Sequence, residues 1–439
     1  MKRATFLASV ALLAGALAAP AHAQKAVVYA LTGAKIYTLA GPPIENGTVI
    51  IRDGKIAAVG TGIEVPAGAE VIDAKGLQVY PGLFDSYSRL GLTEIGQVSA
   101  TVDLNELNQY NPHLNAYSAI HPASEHIPVA RANGITHAVS APGGGGFGGG
   151  GGAVIPGQAT LINLSGWTVE EMDIRKSVGL VLNWPSMQTT TFDLSTFETR
   201  QRPFAEVKKE YEERVGKLEE WLDAARQYAQ AMVSPAASTI ERDQKLEALV
   251  PVVKGELPVI VNANQERDIR NALEFCQKQK LRMILAGGGE AWKVKDELKK
   301  AGVPVILRPV QTLPMQEDDP YDRPNTTPGE LNQAGVKIAI ATFDSSDSRT
   351  LPYEAGNAVP FGLPWEEAIK AITLYPAQIL GVGDQLGSIE VGKRANLIVT
   401  DGDPLEFKTQ VRYLFIGGQP TSMENRHHQL YEKYRARPK

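Results

Sequence analysis

Three residues near the start of the chain have types and a spacing that could do chemistry. The stretch Gln78–Leu92 reads QVYPGLFDSYSRLGL. Its apolar part has the texture of a buried strand, and Asp85, Tyr87 and Arg89 follow at alternate positions. Alternate residues on a strand point the same way, so these three are expected on one face. Arg89 is a fixed cation with a planar fork suited to a carboxylate, and Tyr87 is a donor and acceptor. Together they suit an anionic or carbonyl group. A second reading pairs Arg89 internally with Asp85, Glu290 or Asp344, a cation keeping nearby carboxylates compensated. The seven histidines are the other source of metal or acid–base chemistry. His113, His121 and His126 fall in one segment, where they could form a site with Asp103 or Glu106. His121 and His126 are separated by Pro122 and do not have the i, i+4 spacing of a helical ligand pair. His137 sits inside an apolar run and reads as a core residue. His427 and His428 lie in a polar C-terminal helix, and His22 lies in the leader.

The elements that must position these groups are regular. Apolar runs of strand type occur at Gln78–Phe84, Thr136–Ala141, Gln158–Leu164, Gly179–Asn183, Pro258–Ala263, Arg282–Ala286, Pro304–Arg308 and Lys337–Thr342. Helical patterns alternate with them, and eight such strands suggest an α/β fold of (β/α)8 TIM-like barrel type. In that fold the C-terminal strand ends carry the chemistry. Both chain ends have a different texture, short Val/Ile runs punctuated by turns such as Asn46-Gly47 and Asp53-Gly54. They are expected to fold together as a discontinuous small β-sandwich. The expected layout is 24–76 and 386–420 for the sandwich, 77–385 for the barrel, and 421–439 for a basic amphipathic helical tail packed on the barrel or a partner. Two stretches interrupt the pattern. Gly143–Gly152 holds nine glycines and reads as a flexible loop over the barrel mouth; no Gly-Lys-Ser/Thr follows, so it is not a Walker loop. Phe204–Met232 has Val207, Tyr211, Val215, Leu218, Trp221 and Leu222 at helical spacing, which predicts a long amphipathic helix.

Composition adds a compartment. Residues 1–23 read as a signal peptide: Lys2-Arg3, the apolar run Phe6–Ala18, and Ala21-His22-Ala23 at the cleavage position. Export to the periplasm is expected, with no membrane span. Removing Lys2 and Arg3 takes the formal net charge from -5 to -7, which argues against nucleic acid as a partner. Cys276 is the only cysteine, so no internal disulfide can form.

The pattern PGLxDSxxxLG after a β-rich segment resembles the first barrel strand of the amidohydrolase superfamily, of the imidazolonepropionase and dihydroorotase-like kind. The C-terminal string GSIEVGKRANLIVTDGDP is similar to that superfamily's GxIxxGKxADLVVxDGDP, with Asn396 where it usually has Asp. LPYEAGNAVPFGLPWEEAIKAITLYPAQIL resembles its last barrel helices, with Pro364 opening one of them. The likeness spans most of residues 27–419. It implies the barrel and sandwich, and hydrolysis of non-peptide C–N bonds with divalent zinc, iron, manganese or nickel. The implied ligands are His-x-His on strand one, Lys or Glu on strand four, His on strands five and six, and Asp on strand eight. A divalent ion needs three or four such donors and a water whose pKa it lowers.

Position by position, the resemblance places Tyr87 and Arg89 at the His-x-His. It places Asn183 at the end of strand four, Asn262 at the strand-five His, Gly287 at the strand-six His, and Asp344 at the catalytic Asp. Only Asp344 keeps its type. The chain is therefore expected to carry no metal cofactor and to act as a non-catalytic binding or partner subunit, beside a catalytic amidohydrolase paralogue or another copy of itself. One alternative is an active hydrolase with Asp344 as general base, using unusual ligands or no metal. Another is a periplasmic module for a small polar ligand, with Tyr87, Arg89, Asn262 and Asn264 lining the mouth.

Overall fold

The computed structural model describes residues 27–143, 152–193, 198–235 and 237–438. The predicted signal peptide and nearly all of the Gly143–Gly152 loop lie outside them.

The chain opens with short strands β1 (Tyr29–Ile36), β2 (Ile44–Arg52), β3 (Lys55–Gly60), β4 (Glu70–Asp73) and β5 (Gln78–Pro81). It then enters a second sheet through β6 (Leu83–Ser88), β7 (Ile135–Ser140), β8 (Gly157–Asn163) and β9 (Asp173–Asn183). A hairpin of β10 (Thr190–Asp193) and β11 (Glu198–Gln201) precedes the 28-residue helix Phe204–Ala231. This is the predicted amphipathic helix, and Val207, Leu218 and Leu222 are among its buried residues. Strands β12 (Val259–Ala263), β13 (Met283–Gly287), β14 (Val305–Leu307) and β15 (Ile338–Ile340) complete the second sheet. The chain returns to the first sheet with β16 (Leu397–Thr400), β17 (Val411–Ile416) and β18 (Gln419–Pro420).

The second sheet is the barrel, ordered β15-β14-β13-β12-β9-β8-β7-β6. Its ends meet through Phe343 N–H donating to the Tyr87 carbonyl at 2.8 Å and Arg89 N–H donating to the Asp344 carbonyl at 3.1 Å. Side chains alternate across it as the strand period requires. Phe84, Val139, Leu161, Val181, Ile260, Ile284 and Ile306 fill the interior, while Leu83, Val259, Leu285 and Leu307 face the helices. Each such fully buried aliphatic or aromatic side chain contributes roughly 1.5–3 kcal/mol.

Two details depart from the expectation. The run Gln78–Phe84 is two strands, not one. Gln78–Pro81 pairs with β1 and β16 in the terminal sheet, and the barrel begins at Leu83. Gly82 makes the step, because a Cβ there would lie 2.1 Å from Thr136 Oγ1. The third barrel strand, β8, runs antiparallel to both neighbours. Parallel neighbours need a crossover, usually a helix, and among the described residues the connections to β8 carry no helix longer than the four residues Val169–Met172.

The terminal sheet joins strands from the N-terminal and C-terminal parts of the described chain in one sheet. β1 pairs β2 along one edge, and β4 then β5 along the other, enclosing an apolar cluster that includes Leu31, Ile51, Val79 and Phe415. The tail forms the helix Arg426–Arg435, none of whose residues is buried. Cys276 is buried, and burial pushes its thiol up to about 12, consistent with an inert group. Among the described residues no helix is long and apolar enough to cross a membrane.

Candidate functional site

Extending the interior alternation past the last apolar layer identifies the residues at the mouth. Val181 leads to Asn183 and Ile260 to Asn262, residues that are register partners on β9 and β12. Asn262 Nδ2 donates to Asn183 Oδ1 at 2.7 Å and to the Tyr87 hydroxyl at 2.8 Å. Asn183 Nδ2 in turn donates to the Ala153 carbonyl at 2.8 Å. Among the described residues Asn262 Oδ1 is buried and has no partner. Tyr87 is 4% exposed and stacks on Phe343 with centroids 4.4 Å apart. Burial raises its phenol above the ordinary range, against the opposing effects of the Asn262 bond and the Arg89 charge.

Asp85, Tyr87 and Arg89 do not share one face. A register shift between Asp85 and Ser88 is a bulge, which breaks the alternation and re-aims side chains. Tyr87 stays in the interior cluster with Phe84. Asp85 instead bonds across to the next strand end: Thr342 donates from Oγ1 at 2.5 Å and from N at 3.2 Å. Burial pushes the Asp85 carboxyl up to about 7, despite those bonds.

Asp344 sits beyond β15, after Phe343, whose φ of 56° is unusual for an aromatic residue. Its Oδ1 accepts from Ser346 N at 2.7 Å, Ser346 Oγ at 2.8 Å and Asp347 N at 3.0 Å. Burial works against its ionisation, but these bonds and the Arg89 charge outweigh it and hold the carboxyl below its usual range. Among the described residues Arg89 Nε is buried without a hydrogen-bond partner. Among the described residues Arg89 forms no direct ion pair with Asp85, Glu290 or Asp344, but its charge acts on Asp344. Asp85 is occupied by Thr342, and Glu290 accepts from Glu266 N at 2.6 Å, Gln316 at 2.8 Å and Lys293 at 3.0 Å.

Asn264 stands apart from the Tyr87–Asn262 pair. Its Oδ1 accepts from Gly289 N at 3.3 Å and crowds Gly287. Gly287 has φ +95°, and a Cβ there would lie 2.6 Å from Asn264 Oδ1. A histidine could not enter this position without moving Asn264.

The residues at the implied ligand positions do not fit a divalent ion. Arg89 is a cation, the Asn183 and Asn262 amides are bound to each other and to Tyr87, and Gly287 offers no donor. The histidine segment does not replace them. His126 Nε2 lies 2.8 Å from the Glu94 carbonyl oxygen, and burial, with Lys245 nearby, lowers the pKa of His113. Among the described residues no group of three or more His, Cys, Asp or Glu is placed to hold an ion.

The sequence reading missed one residue. Arg308 continues the β14 ladder, its N–H donating to the Gly287 carbonyl at 3.0 Å, and it follows Ile306 on the interior face. Burial lowers its pKa, and its guanidinium donates to Met315 Sδ at 3.0 Å. Its position as a charged residue ending a buried apolar run was the available signal.

The family model described as Amidohydrolase family matches residues 172–422. The chain belongs to the amidohydrolase family. It is 23% identical to the amidohydrolase tasK of Hapsidospora irregularis over 386 residues, 82% of this chain and 38% of that protein. The chain thus spans well under half the length of that relative. Imidazolonepropionase of Caldanaerobacter subterraneus is 23% identical over 394 residues, 83% of this chain and 86% of the enzyme. The crystal structure of an amidohydrolase from Thermotoga maritima superposes with a TM-score of 0.75 at 25% identity, covering 90% of this chain and 99% of that one. Amidohydrolase membership suggests hydrolysis.

Proposed function

We propose that this protein is an exported amidohydrolase-family member without the usual metal centre. It acts as a non-catalytic binding or partner subunit, with a small polar ligand at the barrel mouth. One observation carries the reading. The inward positions at the ends of β9, β12 and β6 hold Asn183, Asn262 and Tyr87, bonded in series at 2.7 and 2.8 Å. Side chains committed to one another in this way hold each other in place and leave no lone-pair cluster for an ion. A partner of the same fold, a catalytic paralogue or a second copy, is consistent with the tasK match, where this unit is 38% of a longer chain. Export rests on the leader-like residues 1–23.

The test is elemental analysis of protein purified from the periplasm without a metal-affinity step. The expected content of zinc, iron, manganese or nickel is below about a tenth of an equivalent. Near one equivalent surviving mild chelation overturns the reading, and recovery of the protein only from cytoplasm overturns the export. The rival reading, an active hydrolase with Asp344 as base, is disfavoured by the depressed Asp344 carboxyl, since a base works best with a pKa near the working pH. That rival predicts turnover of an amide or imide that Asp344→Asn abolishes.

A further inference from the structure

The tail is anchored at its root and uncovered beyond it. Met423 packs against the main core, and Asn425 is buried, its Oδ1 accepting from His427 N at 2.9 Å and His428 N at 3.2 Å. The helix Arg426–Arg435 that follows has no buried residue. Leu430, Tyr431 and Tyr434 are spaced to share one face. Tyr431 is 61% exposed and Tyr434 is 49% exposed. Helices shorter than about 12–15 residues are marginal in water, and in proteins most of their stability comes from packing an apolar face. A ten-residue helix with its aromatic face in water is therefore one that a partner surface should cover. Its charge is one-sided as well. Residues 426–439 hold five Lys and Arg against the single carboxylate side chain of Glu432, and Glu432 is paired with Arg435 at 2.8 Å. Lys433 and Arg437 lie 5.8 and 4.6 Å from the Tyr434 ring centroid and form no ion pair among the described residues.

A groove of complementary character opens beside the root of the tail. Met423 and His428 line a small cavity together with Tyr353 and Phe407, and the latter two continue into a groove of about 580 Å³. Val359, Trp365 and Phe407 give the groove apolar walls, and Asp403 and Glu406 give it charge. Among the described residues no Lys, Arg or His lines it. Asp403 is held in place by Trp365 Nε1, which donates to it at 2.7 Å, and among the described residues neither Asp403 nor Glu406 forms an ion pair. Phe407 is 79% exposed. No residue of the helix Arg426–Arg435 lines this groove, so one molecule leaves both its basic aromatic helix and its acidic aromatic groove open. Aromatic residues are enriched at the cores of protein interfaces.

We propose that two copies of this chain pair by exchanging their C-terminal helices. The Leu430–Tyr434 face of each lies in the Phe407 groove of the other, with Lys433 and Arg437 against Asp403 and Glu406. A two-fold pair covers both surfaces at once and closes on itself, whereas a one-way contact would leave one helix and one groove open. This names the surface for the second-copy partner proposed above, and rests on that reading for the pair being non-catalytic.

The test is sedimentation equilibrium of the mature protein over a concentration series at low and high salt. A reversible dimer is expected, weakened by salt because its charged contacts are screened. Phe407→Ser and Tyr434→Ser should each weaken association about ten-fold or more, the effect of removing an interface aromatic. Both side chains are exposed in the single chain, so neither substitution should lower the melting temperature of the monomer. Glu406→Lys should weaken pairing, and adding Lys433→Glu to it should recover pairing. A monomer at every concentration overturns the exchange; a fall in its melting temperature on Tyr434→Ser would place the helix in its own groove instead. A dimer that tolerates all of these substitutions uses another face and overturns it too. Metal content is read on the same sample. About one equivalent of metal in a dimer that depends on Tyr434 and Phe407 defeats the non-catalytic reading and leaves the interface standing; a metal-free monomer does the reverse.

Discussion

The two ends of the barrel use the same kinds of residue to opposite effect. At the floor, Asn396 joins the terminal sheet to the barrel. Its carbonyl accepts from Gly82 N at 2.8 Å, its Oδ1 from Gly417 N at 2.8 Å, and its Nδ2 donates to Asn163 Oδ1 at 2.9 Å. At the mouth, Asn262 donates twice but its own Oδ1 is unpartnered, and two arginines there form no ion pair among the described residues. Buried polar groups are normally satisfied, and each exception needs a reason. The Asn396 amide is partnered at both its oxygen and its nitrogen and holds two sheets together, although His137 Nε2 beside it is buried without a partner among the described residues. The mouth keeps Asn262 Oδ1 and Arg89 Nε buried without partners among the described residues.

The largest expected effect lies at the floor. Asn396→Ala orphans the Gly417 N–H and Asn163 Oδ1 in a site that is 4% exposed. Each orphan costs about 1–3 kcal/mol, so chemical denaturation should show a loss on the order of 3 kcal/mol. A loss under about 1 kcal/mol would break the comparison, since the floor would then tolerate open groups as the mouth does.

The buried titratable groups sharpen the contrast through pH. His137, at the floor, lies 2.6 Å from Thr136 Oγ1, and burial drives its pKa down to about 3. Its unfolded value is about 6.5. Between those values the unfolded chain binds the proton and the folded one does not, so stability is full above about pH 6.5 and falls as pH drops. Asp85, below the mouth, has a folded value of about 7 against about 3.9 unfolded. In that window the folded state keeps the proton, so this group's contribution is full below about pH 4 and is lost as pH rises to 7. Each slope integrates to a few kcal/mol at about 1.4 kcal/mol per pKa unit. Asp85→Asn should therefore raise the melting temperature relative to the parent more at pH 8 than at pH 4, and His137→Phe should flatten the acid side. Identical pH profiles for Asp85→Asn and the parent would show that Asp85 is ionised and solvated.

Much of this was legible in the chain itself. The eight barrel strands stand out as apolar runs, and the GSIEVGKRANLIVTDGDP string marks the return to the terminal sheet. What escaped is physically specific. Alternation is blind to strand direction, so the reversal of β8 left no trace in its residues. Contiguous apolar residues concealed the sheet change at Gly82, which exists because Thr136 needs the space of a side chain there. The bulge that separates Asp85 from Tyr87 depends on pairing with β7, a long-range contact. Arg308 was passed over because a charge at a strand end reads as the onset of a solvated loop, and only the interior register of Ile306 shows otherwise.

The smallest effect should be at Asn262. Asn262→Ala removes the donor to the Tyr87 hydroxyl and to Asn183 Oδ1, one contact fewer than Asn396→Ala breaks at the floor, where a long contact to His137 Nδ1 is lost as well. Asn183 and Asn262 are only partly buried, so water can enter the space the side chain leaves, even though Tyr87 itself is 4% exposed. Water-mediated bonds are nearly as good as direct ones, and the substitution also removes the orphaned Oδ1 itself. The two changes should nearly cancel, within about 1 kcal/mol. Denaturation midpoints of Asn262→Ala and Asn396→Ala measured side by side decide the matter. A loss at Asn262 equal to that at Asn396 would make the mouth chain a structural brace and deprive the open-mouth reading of its basis.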